Sequence, residues 1–257
     1  MGILERMRLD GKAAFVTGGA RGIGKSIATA IAEAGANVAI VDIDIEEAKK
    51  TAEEIAKLGV KTIAIRTDVT DEADVDKMIE TILATYGKLD VAFCNAGICI
   101  NEPAEEMSYD HFKKVVDINL NGVFLTSRAA ARVMLKQGRG SIINTASMSG
   151  HIVNVPQPQC AYNASKAGVI MLTKSMAVEF AKKGVRVNSI SPGYIGTDLI
   201  LEAEHLKALI EKWNSMSPVG RLGRPDELQA IAVYLAGDAS DFTTGSDFVI
   251  DGAFSCF

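Results

Sequence analysis

Residues 13–26, AAFVTGGARGIGKS, decide the predicted fold, because a short apolar run passes through glycines directly into a helix-like segment over 24–35. The first five of these residues read as a buried strand. Gly18, Gly22 and Gly24 allow a tight turn and a close approach of the backbone to a ligand. The helix amino terminus then offers N–H groups and the positive end of its dipole to a pyrophosphate. The stretch predicts either a nucleotide-binding turn or a purely structural glycine turn.

The strict dinucleotide pattern G-x-G-x-x-G is absent from this turn. Ala20 and Ile23 stand where its second and third glycines would be, and the spacing is instead Gly18-x-x-x-Gly22-x-Gly24. The glycines still lie between a strand and a helix, so the same close backbone approach is available to a phosphate.

Asp42 ends the second strand-like run, eighteen positions after Gly24. A carboxylate at this place can bond both hydroxyls of an adenosine ribose. The other interpretation is a helix-capping acid, but Asp44 suits that role better and leaves Asp42 for the ribose. Together with the glycine turn, Asp42 predicts a nucleotide site.

The same carboxylate favours NAD over NADP. A carboxylate and a 2′-phosphate about 4 Å apart repel by roughly 4 kcal/mol at an effective dielectric near 20. Arg21 argues for NADP, because a basic residue inside the turn could reach a phosphate. Ile43 supplies no second cation after Asp42, so NAD is the predicted cofactor.

Strand-like apolar runs alternate with helix-like segments along the whole chain. Continuous apolar strands flanked by helices indicate an α/β fold with a parallel sheet covered on both faces. The strand-like runs are AAFVT (13–17), NVAIVD (37–42), TIAIRTD (62–68), LDVAFCN (89–95), SIINTAS (141–147), VRVNSIS (185–191) and DFVID (247–251).

No shift in composition, repeat or low-complexity linker divides the chain, so we predict a single domain over 1–257. The least regular part is 194–223, between strand-like 185–191 and helix-like 226–237. A long insertion after the carboxyl end of a strand is a candidate substrate lid.

Composition excludes several classes of function. The formal net charge is −5, with 27 basic and 32 acidic residues, so a basic nucleic-acid surface is not expected. The charged start, MGILERMRLDGK, lacks the apolar run of a signal peptide, and no apolar run approaches the length of a membrane span. We therefore expect a cytoplasmic protein without a nucleic-acid or membrane partner. Neither a metal site nor a disulfide framework is predicted, because these residues lack ligand spacing: Cys94, Cys99, Cys160, Cys256, His111, His151 and His205.

Tyr162 and Lys166, in AYNASKAG (161–168), project from the same face of a predicted helix, one turn apart. A free tyrosine has a pKa near 10, so a general base at about pH 7–8 needs that pKa lowered by about 2–3. One close cation lowers it by ~1–3, and the oxidised nicotinamide adds a second positive charge. The pair therefore predicts an acid–base centre without metal. A chance pair of helix residues is the alternative.

These motifs together resemble the short-chain dehydrogenase/reductase family, and the resemblance covers essentially the whole chain. TGGARGIG (17–24), DV (68–69), CNAG (94–97), DINLNG (117–122), YNASK (162–166) and SPGYIGTDL (191–199) occur in the family's order. The resemblance implies a Rossmann-type, doubly wound parallel sheet of about seven strands, with helices on both faces. It also implies a homotetramer, a mainly dinucleotide-binding half over 1–100, and a catalytic and substrate-binding half over 101–257.

The resemblance carries the family's site residues onto matching positions of this chain. The implied reaction is hydride transfer between a nicotinamide and a secondary alcohol or ketone. The catalytic positions are Asn119, Ser147, Tyr162 and Lys166. The cofactor-binding positions are Gly18, Arg21, Gly22, Ile23, Gly24, Asp42, Ile43, Asp68, Val69, Asn95, Ala96, Gly97, Tyr162, Lys166, Pro192, Gly193, Ile195 and Thr197.

The serine and the substrate loop depart from the family's commonest spacing. Fifteen positions separate Ser147 from Tyr162, and Ser149 would satisfy a shorter gap. Ser147 is preferred because it ends the strand-like IINTAS. The extra length falls in 151–160, whose sequence is similar to the family's mannitol, arabinitol and xylulose dehydrogenases. We therefore expect a polyol or sugar substrate, with these residues as candidates to bond its hydroxyls: Ser149, His151, Asn154 and Gln157.

Two other functions stay open. A 3-oxoacyl-carrier-protein reductase or a hydroxysteroid dehydrogenase would use the same fold and catalytic residues. Asp42 and the mixed charges of 194–223 argue against the acyl carrier, which is acidic and whose reductases usually prefer NADPH. A non-catalytic nucleotide sensor is disfavoured because Tyr162 and Lys166 are both present.

Overall fold

The strands lie where apolar runs alternate with helices, and the computed structural model describes residues 2–256. All pairings are parallel. The strands are β1 (Ala13–Thr17), β2 (Asn37–Asp42), β3 (Thr62–Arg66), β4 (Val91–Cys94), β5 (Gly140–Thr145), β6 (Val185–Pro192) and β7 (Asp247–Ile250). Their order is β3-β2-β1-β4-β5-β6-β7, so the predicted doubly wound sheet of seven strands is confirmed.

Strand boundaries follow the prediction closely for β1 and β2 and less closely for β3 and β4. β1 and β2 begin and end where the apolar runs do. β3 stops at Arg66 and β4 covers only Val91–Cys94, so both are shorter than their runs. The residues that follow these strands turn out of the ladder at its carboxyl edge, where they become available to a site.

Helices connect consecutive strands and cover both faces of the sheet. They are α1 (Ile3–Met7), α2 (Gly22–Glu33), α3 (Ile45–Ala56), α4 (Glu72–Tyr86), α5 (Tyr109–Val116), α6 (Gly122–Gln137), α7 (Cys160–Phe180), α8 (Asp198–Leu201), α9 (Lys207–Met216) and α10 (Gln229–Ala236). No helix within residues 2–256 combines the length and the apolarity that a bilayer crossing requires.

Local sequence explains where α4 begins and ends. The Asp71 carboxylate accepts hydrogen bonds from the backbone N–H groups of Ala73 and Asp74, and so caps the first turn. The helix ends at Gly87, whose φ of 76° lies in the left-handed region that glycine tolerates best. Both ends of α4 are thus set by the residues that flank it.

The core consists of two layers because side chains alternate along each strand. On one face, Val16 of β1 packs with Ile27 of α2 and Leu235 of α10. On the other face, Phe15 packs with Met78 of α4 and Met134 of α6. A sheet buried on both faces leaves its carboxyl edge as the place where polar side chains and a cavity meet.

The segment 194–223 is more regular than the sequence predicted. It contains α8, α9 and a 3₁₀ turn over Glu204–Leu206. A β-bridge between Ile195 and Gly223 closes the segment at its base. These elements are short, and a turn or two of helix carries little periodicity for a sequence to display.

Candidate active site

A cavity of about 780 Å³ opens at the carboxyl ends of β1 to β4. Because these strands are parallel, the residues that follow them all reach the same edge of the sheet. The predicted cofactor residues that line the cavity are Gly18, Arg21, Asp42, Ile43, Asp68, Val69, Ala96 and Gly97. The sequence analysis missed a second wall, formed by α5 and the turn after it, which includes Asp110, Lys114 and Ile118. Ile118 lies in the quoted motif DINLNG (117–122), but no motif marks Asp110 and Lys114.

The glycine turn is tight at two positions where a side chain would not fit. Gly18 has a φ of 61°, in the left-handed region. A Cβ on Gly24 would lie 2.0 Å from the Gly18 carbonyl oxygen, so the turn and the first turn of α2 are in close contact. Gly22 and Ile23 begin α2, and the N–H groups of a first turn lack partners within the helix. These groups can receive a phosphate.

Asp42 presents a fixed carboxylate at the end of β2. Its Oδ2 accepts from the Ala20 N–H at 3.1 Å, and its Oδ1 accepts from the Asp44 N–H at 3.1 Å. Asp44 caps α3 by accepting from the Glu47 N–H at 3.2 Å, which confirms the capping prediction. The Arg21 guanidinium turns toward Asp44, with its Nη2 2.8 Å from the Asp44 Oδ2. The one cation of the turn is therefore paired with a carboxylate.

Asp68 and Val69 form the wall beyond β3. The Asp68 carboxylate accepts from the Thr70 hydroxyl at 2.7 Å and from the Thr70 N–H at 2.9 Å. These two hydrogen bonds hold the pKa of Asp68 below its usual range. Val69 is buried and packs against Gly122 at the start of α6.

Asn95 braces the floor of the cavity. Its Nδ2 donates to the Thr17 carbonyl at 3.1 Å, and its Oδ1 accepts from the Thr145 hydroxyl at 3.1 Å. The side chain therefore ties the ends of β1 and β5 across β4. Beside it, a Cβ on Gly97 would lie 3.2 Å from the Asn119 Oδ1, so a side chain there would press against Asn119.

Asn119 is fully buried in a π-helical turn, Asp117–Asn121, between α5 and α6. Its Oδ1 accepts from the Ile98 N–H at 2.8 Å, and its Nδ2 donates to the Ile98 carbonyl at 2.9 Å and to the Ser165 hydroxyl at 3.1 Å. Turns of this kind recur at functional sites. Here the turn brings Asn119 against α7, one residue before Lys166.

Lys166 is buried, and its Nζ donates to the Thr145 carbonyl at 2.7 Å. The same Nζ lies 5.6 Å from the centre of the Tyr162 ring. Burial lowers the pKa of Lys166 to about 8. The predicted pair is thus brought together, one helical turn apart on α7.

The expectation that Lys166 lowers the pKa of Tyr162 is wrong for the chain alone. Burial raises the pKa of Tyr162 to about 12, and a hydrogen bond with Ser147 opposes that rise only in part. The physical reason is desolvation, which disfavours the tyrosinate and the ammonium together when both groups are buried. At neutral pH the phenol of the cofactor-free chain is protonated.

The two candidate serines have different partners. Ser147, just beyond β5, lies near enough to the Tyr162 phenol to oppose the rise of its pKa, and the Ser147 Oγ accepts from the Ser149 N–H at 3.1 Å. The Ser149 hydroxyl instead accepts from the Gln159 Nε2 at 3.2 Å. Contact with the phenol therefore favours Ser147 over Ser149.

The candidate substrate residues lie in different places in the structure. Asn154 and Gln157 are buried and both donate to the Tyr194 hydroxyl, at 3.1 and 2.7 Å. His151 lies elsewhere, with its Nε2 2.7 Å from a carboxylate oxygen of Asp247 on β7. Three members of the polar network, Gln159, Tyr194 and Trp213, were missed by the sequence analysis. Gln159 precedes α7 beside the two predicted amides, and Tyr194 lies in the quoted motif SPGYIGTDL (191–199), so the sequence offered a signal for both.

The segment after β6 reaches back toward the glycine turn. Gly193 donates its N–H to the Ile250 carbonyl at 2.9 Å, and Pro192 ends β6. Ile195 is buried, and Thr197 precedes α8 with its methyl group beside Gly22. Thr197 therefore borders the turn where a dinucleotide phosphate would lie.

The buried Lys166 makes the stability of the cofactor-free chain depend on pH. Its pKa of about 8 lies below the ordinary 10.5, so between these values the unfolded chain binds more protons than the folded one. The Lys166 contribution to the free energy of unfolding therefore rises with pH across that window, by about 3 kcal/mol in total. We expect urea unfolding at pH 7, 8.5 and 10 to show this rise in the wild type and not in Lys166→Met. Parallel pH profiles for the two chains would contradict the buried ammonium.

Comparison with known proteins agrees with this geometry. A family model described as enoyl-(acyl carrier protein) reductase matches residues 18–255. The chain belongs to the short-chain dehydrogenase/reductase family. This family resemblance was predicted from the motifs and is confirmed. The short-chain dehydrogenase described here is an oxidoreductase that acts on a secondary alcohol or ketone and depends on a nicotinamide cofactor.

Relatives of this short-chain dehydrogenase include enzymes of sugar metabolism. It is 44% identical to the sorbose reductase SOU1 of Candida albicans, over 99% of this chain and 90% of that protein. It is 41% identical to the NADP-dependent mannitol dehydrogenase of Hypocrea jecorina, over 98% of this chain and 96% of that protein. The crystal structure of a short-chain dehydrogenase/reductase from Mycobacterium marinum superposes with a TM-score of 0.95 at 47% identity, over the whole of both chains.

Proposed function

We propose that this short-chain dehydrogenase uses NAD to interconvert a polyol and the corresponding keto sugar. The proposal rests on one observation: an acid–base pair and a set of hydrogen-bonding side chains lie next to each other. The half-buried Tyr162 lies near Ser147 and beside the Lys166 ammonium, and a network of buried carboxamides adjoins them. The first feature supports proton transfer at a secondary alcohol, and the second supports recognition of a molecule with several hydroxyl groups.

Tyr162 is assigned the proton transfer. Its phenol donates a proton to the carbonyl oxygen in reduction, and its phenolate takes the hydroxyl proton in oxidation. Ser147 donates a hydrogen bond to the same substrate oxygen. When bound, the nicotinamide supplies the hydride acceptor in oxidation and the hydride donor in reduction. Because the pKa of Tyr162 is raised to about 12 in the chain alone, the phenol is protonated and ready for the reductive direction.

Lys166 and Asn119 are assigned supporting roles. The Lys166 ammonium, anchored on the Thr145 carbonyl, holds positive charge near the phenol and would bond the nicotinamide ribose. Asn119 holds the Ile98 backbone next to Gly97, which keeps the β4 end open for the cofactor. By family analogy it also holds a water that relays protons from Lys166.

The residues present fit a dinucleotide. The glycine turn excludes any Cβ at Gly24 and offers the amino terminus of α2 to the pyrophosphate. Asp42 would bond the ribose hydroxyls, with Asp68 and Val69 beside the adenine. The remaining predicted cofactor residues, Asn95, Pro192, Gly193, Ile195 and Thr197, would support the turn or the nicotinamide end.

NAD is proposed over NADP because the groups around the ribose are anionic. Asp42 would face a 2′-phosphate, and Arg21 is already paired with Asp44. Ile43 is exposed at the cavity and carries no charge. The mannitol dehydrogenase of Hypocrea jecorina is NADP-dependent, so relatives differ in this property and the preference of this chain rests on Asp42.

The polyol is proposed on the chemistry of the loop 151–160 and on the relatives' names. Asn154, Gln157 and Gln159 place three buried carboxamides near Ser147, where a substrate would lie. The names sorbose reductase and mannitol dehydrogenase point to the same class of molecule. The proposal includes the lid over 194–223, a homotetramer and a cytoplasmic location. Exposed apolar side chains such as Val178 and Phe242 support assembly.

A substrate panel tests the proposal. NAD and NADP are each offered with hexitols, pentitols, simple secondary alcohols, hydroxysteroids and, in reduction, ketoses and 3-oxoacyl thioesters. We expect NAD-linked oxidation of one or more polyols with the highest kcat/KM in the panel. NADPH-linked reduction of acyl thioesters as the best reaction would overturn both the cofactor and the substrate class.

A further inference from the structure

Trp213 fixes the direction of a chain of hydrogen bonds beside the active site. An indole N–H can only donate, and the Trp213 Nε1 lies 3.1 Å from the Gln157 Oε1. The carboxamide oxygen of Gln157 must therefore face the indole. Its Nε2 then faces the Tyr194 hydroxyl at 2.7 Å and the Gln159 Oε1 at 3.2 Å. If the Gln157 amide were flipped, its NH2 group would face the indole N–H, and the indole would have no acceptor.

The same direction carries through to the next amide. Because the Gln159 Oε1 accepts from Gln157, its Nε2 is the donor, toward the Asn163 Oδ1 at 2.8 Å, the Ser149 Oγ at 3.2 Å and, at the longest distance, the Asn154 Oδ1 at 3.4 Å. Asn154 approaches from the other side, and its Nδ2 donates to the Tyr194 hydroxyl at 3.1 Å.

Two donors therefore converge on one phenolic oxygen. The Tyr194 oxygen accepts from Gln157 and from Asn154. What remains is the Tyr194 O–H proton, and within residues 2–256 the described hydrogen bonds give it no acceptor. The network is a satisfied set of donors and acceptors with one donor left over.

The ring that carries this proton is held in place. It stacks on Trp213 with ring centres 4.2 Å apart and an angle of 14°, and its edge meets Phe254 at 5.2 Å. Tyr194 is itself half-buried, so its hydroxyl is not simply a surface group. A rigid aromatic ring with an oriented hydroxyl is suited to recognise a polar group of a ligand.

A chain of hydrogen bonds connects Tyr194 to Ser147. The Ser147 Oγ accepts from the Ser149 N–H, the Ser149 Oγ accepts from Gln159, and Gln159 is bonded to Gln157 below Tyr194. Gln159 lies directly before α7, three residues before Tyr162. A molecule whose reacting carbon lies at Tyr162 can therefore extend its next oxygens toward Tyr194.

We propose that Tyr194 is a specificity-determining residue that donates its O–H to a substrate hydroxyl other than the reacting one, held in direction by Gln157 and Asn154. This inference rests on the proposed polyol substrate. It predicts that Tyr194 distinguishes a polyol from an alcohol with one oxygen, because the second lacks the acceptor that Tyr194 would meet.

The test compares wild type, Tyr194→Phe and the remote control Tyr86→Phe on two substrate types, hexitols and cyclohexanol. Tyr194→Phe keeps the ring and its stacking and removes only the hydroxyl. We expect its kcat/KM for hexitols to fall about tenfold or more, mainly through KM, because Asn154 and Gln157 also lose their acceptor. Its kcat/KM for cyclohexanol should stay within about twofold, since no second oxygen is recognised. Tyr86→Phe should match the wild type on both.

A second variant removes the same donor without touching Tyr194. In Gln157→Glu, the carboxylate has no N–H and can accept from both Trp213 and Tyr194, so the free proton is captured inside the network. We expect the same selective loss on hexitols. The emission of Trp213, the only tryptophan in the sequence, reports whether each variant keeps the buried indole.

The outcomes separate the inference from the proposed function. Equal loss on hexitols and cyclohexanol, or no loss on hexitols in folded Tyr194→Phe and Gln157→Glu, would overturn the role of Tyr194. A wild-type chain that oxidises cyclohexanol and no polyol would overturn the proposed function, and this inference with it. That failure is visible in the wild-type measurements alone.

Discussion

A Tyr162→Phe chain is expected to bind NAD with unchanged affinity while its turnover falls by about a thousandfold or more. The proposed role of Tyr162 is to hold the proton that moves to or from the substrate oxygen, and positioned acid–base groups contribute about 10²- to 10⁴-fold. The substitution keeps the ring over which Lys166 lies, so the shape of the site is retained. The measurement pairs steady-state turnover with a direct titration of NAD binding.

The raised pKa of Tyr162 sharpens this experiment. In the cofactor-free chain the pKa of the Tyr162 phenol is about 12, so the phenol stays protonated at lower pH. Wild-type oxidation should therefore rise with pH more steeply than reduction, because only oxidation needs a deprotonated phenol. Residual turnover in Tyr162→Phe should lose that difference. Turnover within tenfold of wild type would show that another group carries the proton, and Tyr86→Phe serves as the matched control.

Removing the charge of Asp42 is expected to shift the preference between NAD and NADP strongly toward NADP. Asp42→Asn keeps the size of the side chain and its position after β2 but removes the repulsion of a 2′-phosphate. With about 4 kcal/mol for charges about 4 Å apart at an effective dielectric near 20, the kcat/KM ratio of NADP over NAD should rise on the order of a thousandfold. Measuring kcat/KM with both cofactors on one substrate gives this ratio directly.

Glu46→Gln is the control for this change of charge. Glu46 lies in the first turn of α3, is exposed and pairs with Lys49. The substitution therefore removes a neighbouring carboxylate that does not line the cavity. Its cofactor ratio should stay within about threefold of wild type, since exposed charges interact weakly through water. If Asp42→Asn behaves like Glu46→Gln, or if the wild type already prefers NADP, then Asp42 does not select the cofactor.

The strands and their parallel direction could be predicted because each strand is a short apolar run between helices, whereas the doubly wound order was implied by the family resemblance. β1 and β2 have the predicted bounds because Gly18 and Asp42 end them with a visible change in chemistry. The run over 89–95 is longer than β4, since the apolar Leu89 is buried before the strand begins. Burial and strand pairing are different properties, and the sequence displays the first more clearly.

The site was predictable only where a residue acts through a local pattern. Tyr162 and Lys166 share a helix, so their spacing sufficed to bring them together. The pKa of Tyr162 was not predictable in this way, because it depends on how much water the fold removes. Gln157 and Tyr194 are 37 positions apart, and their contact exists only because β6 and the substrate loop end at the same edge.

The separation between two sets of hydrogen bonds has a consequence for how such an enzyme can diversify. Asn119 and Lys166 bond to Ile98, Ser165 and Thr145, whereas the loop amides bond mainly to one another and to the segment after β6. Mutations in the loop can therefore alter which molecule is accepted while the proton-transfer groups keep their partners. A change of substrate specificity therefore need not pass through an inactive intermediate. Single mutations in the loop can alter which related sugar the enzyme accepts.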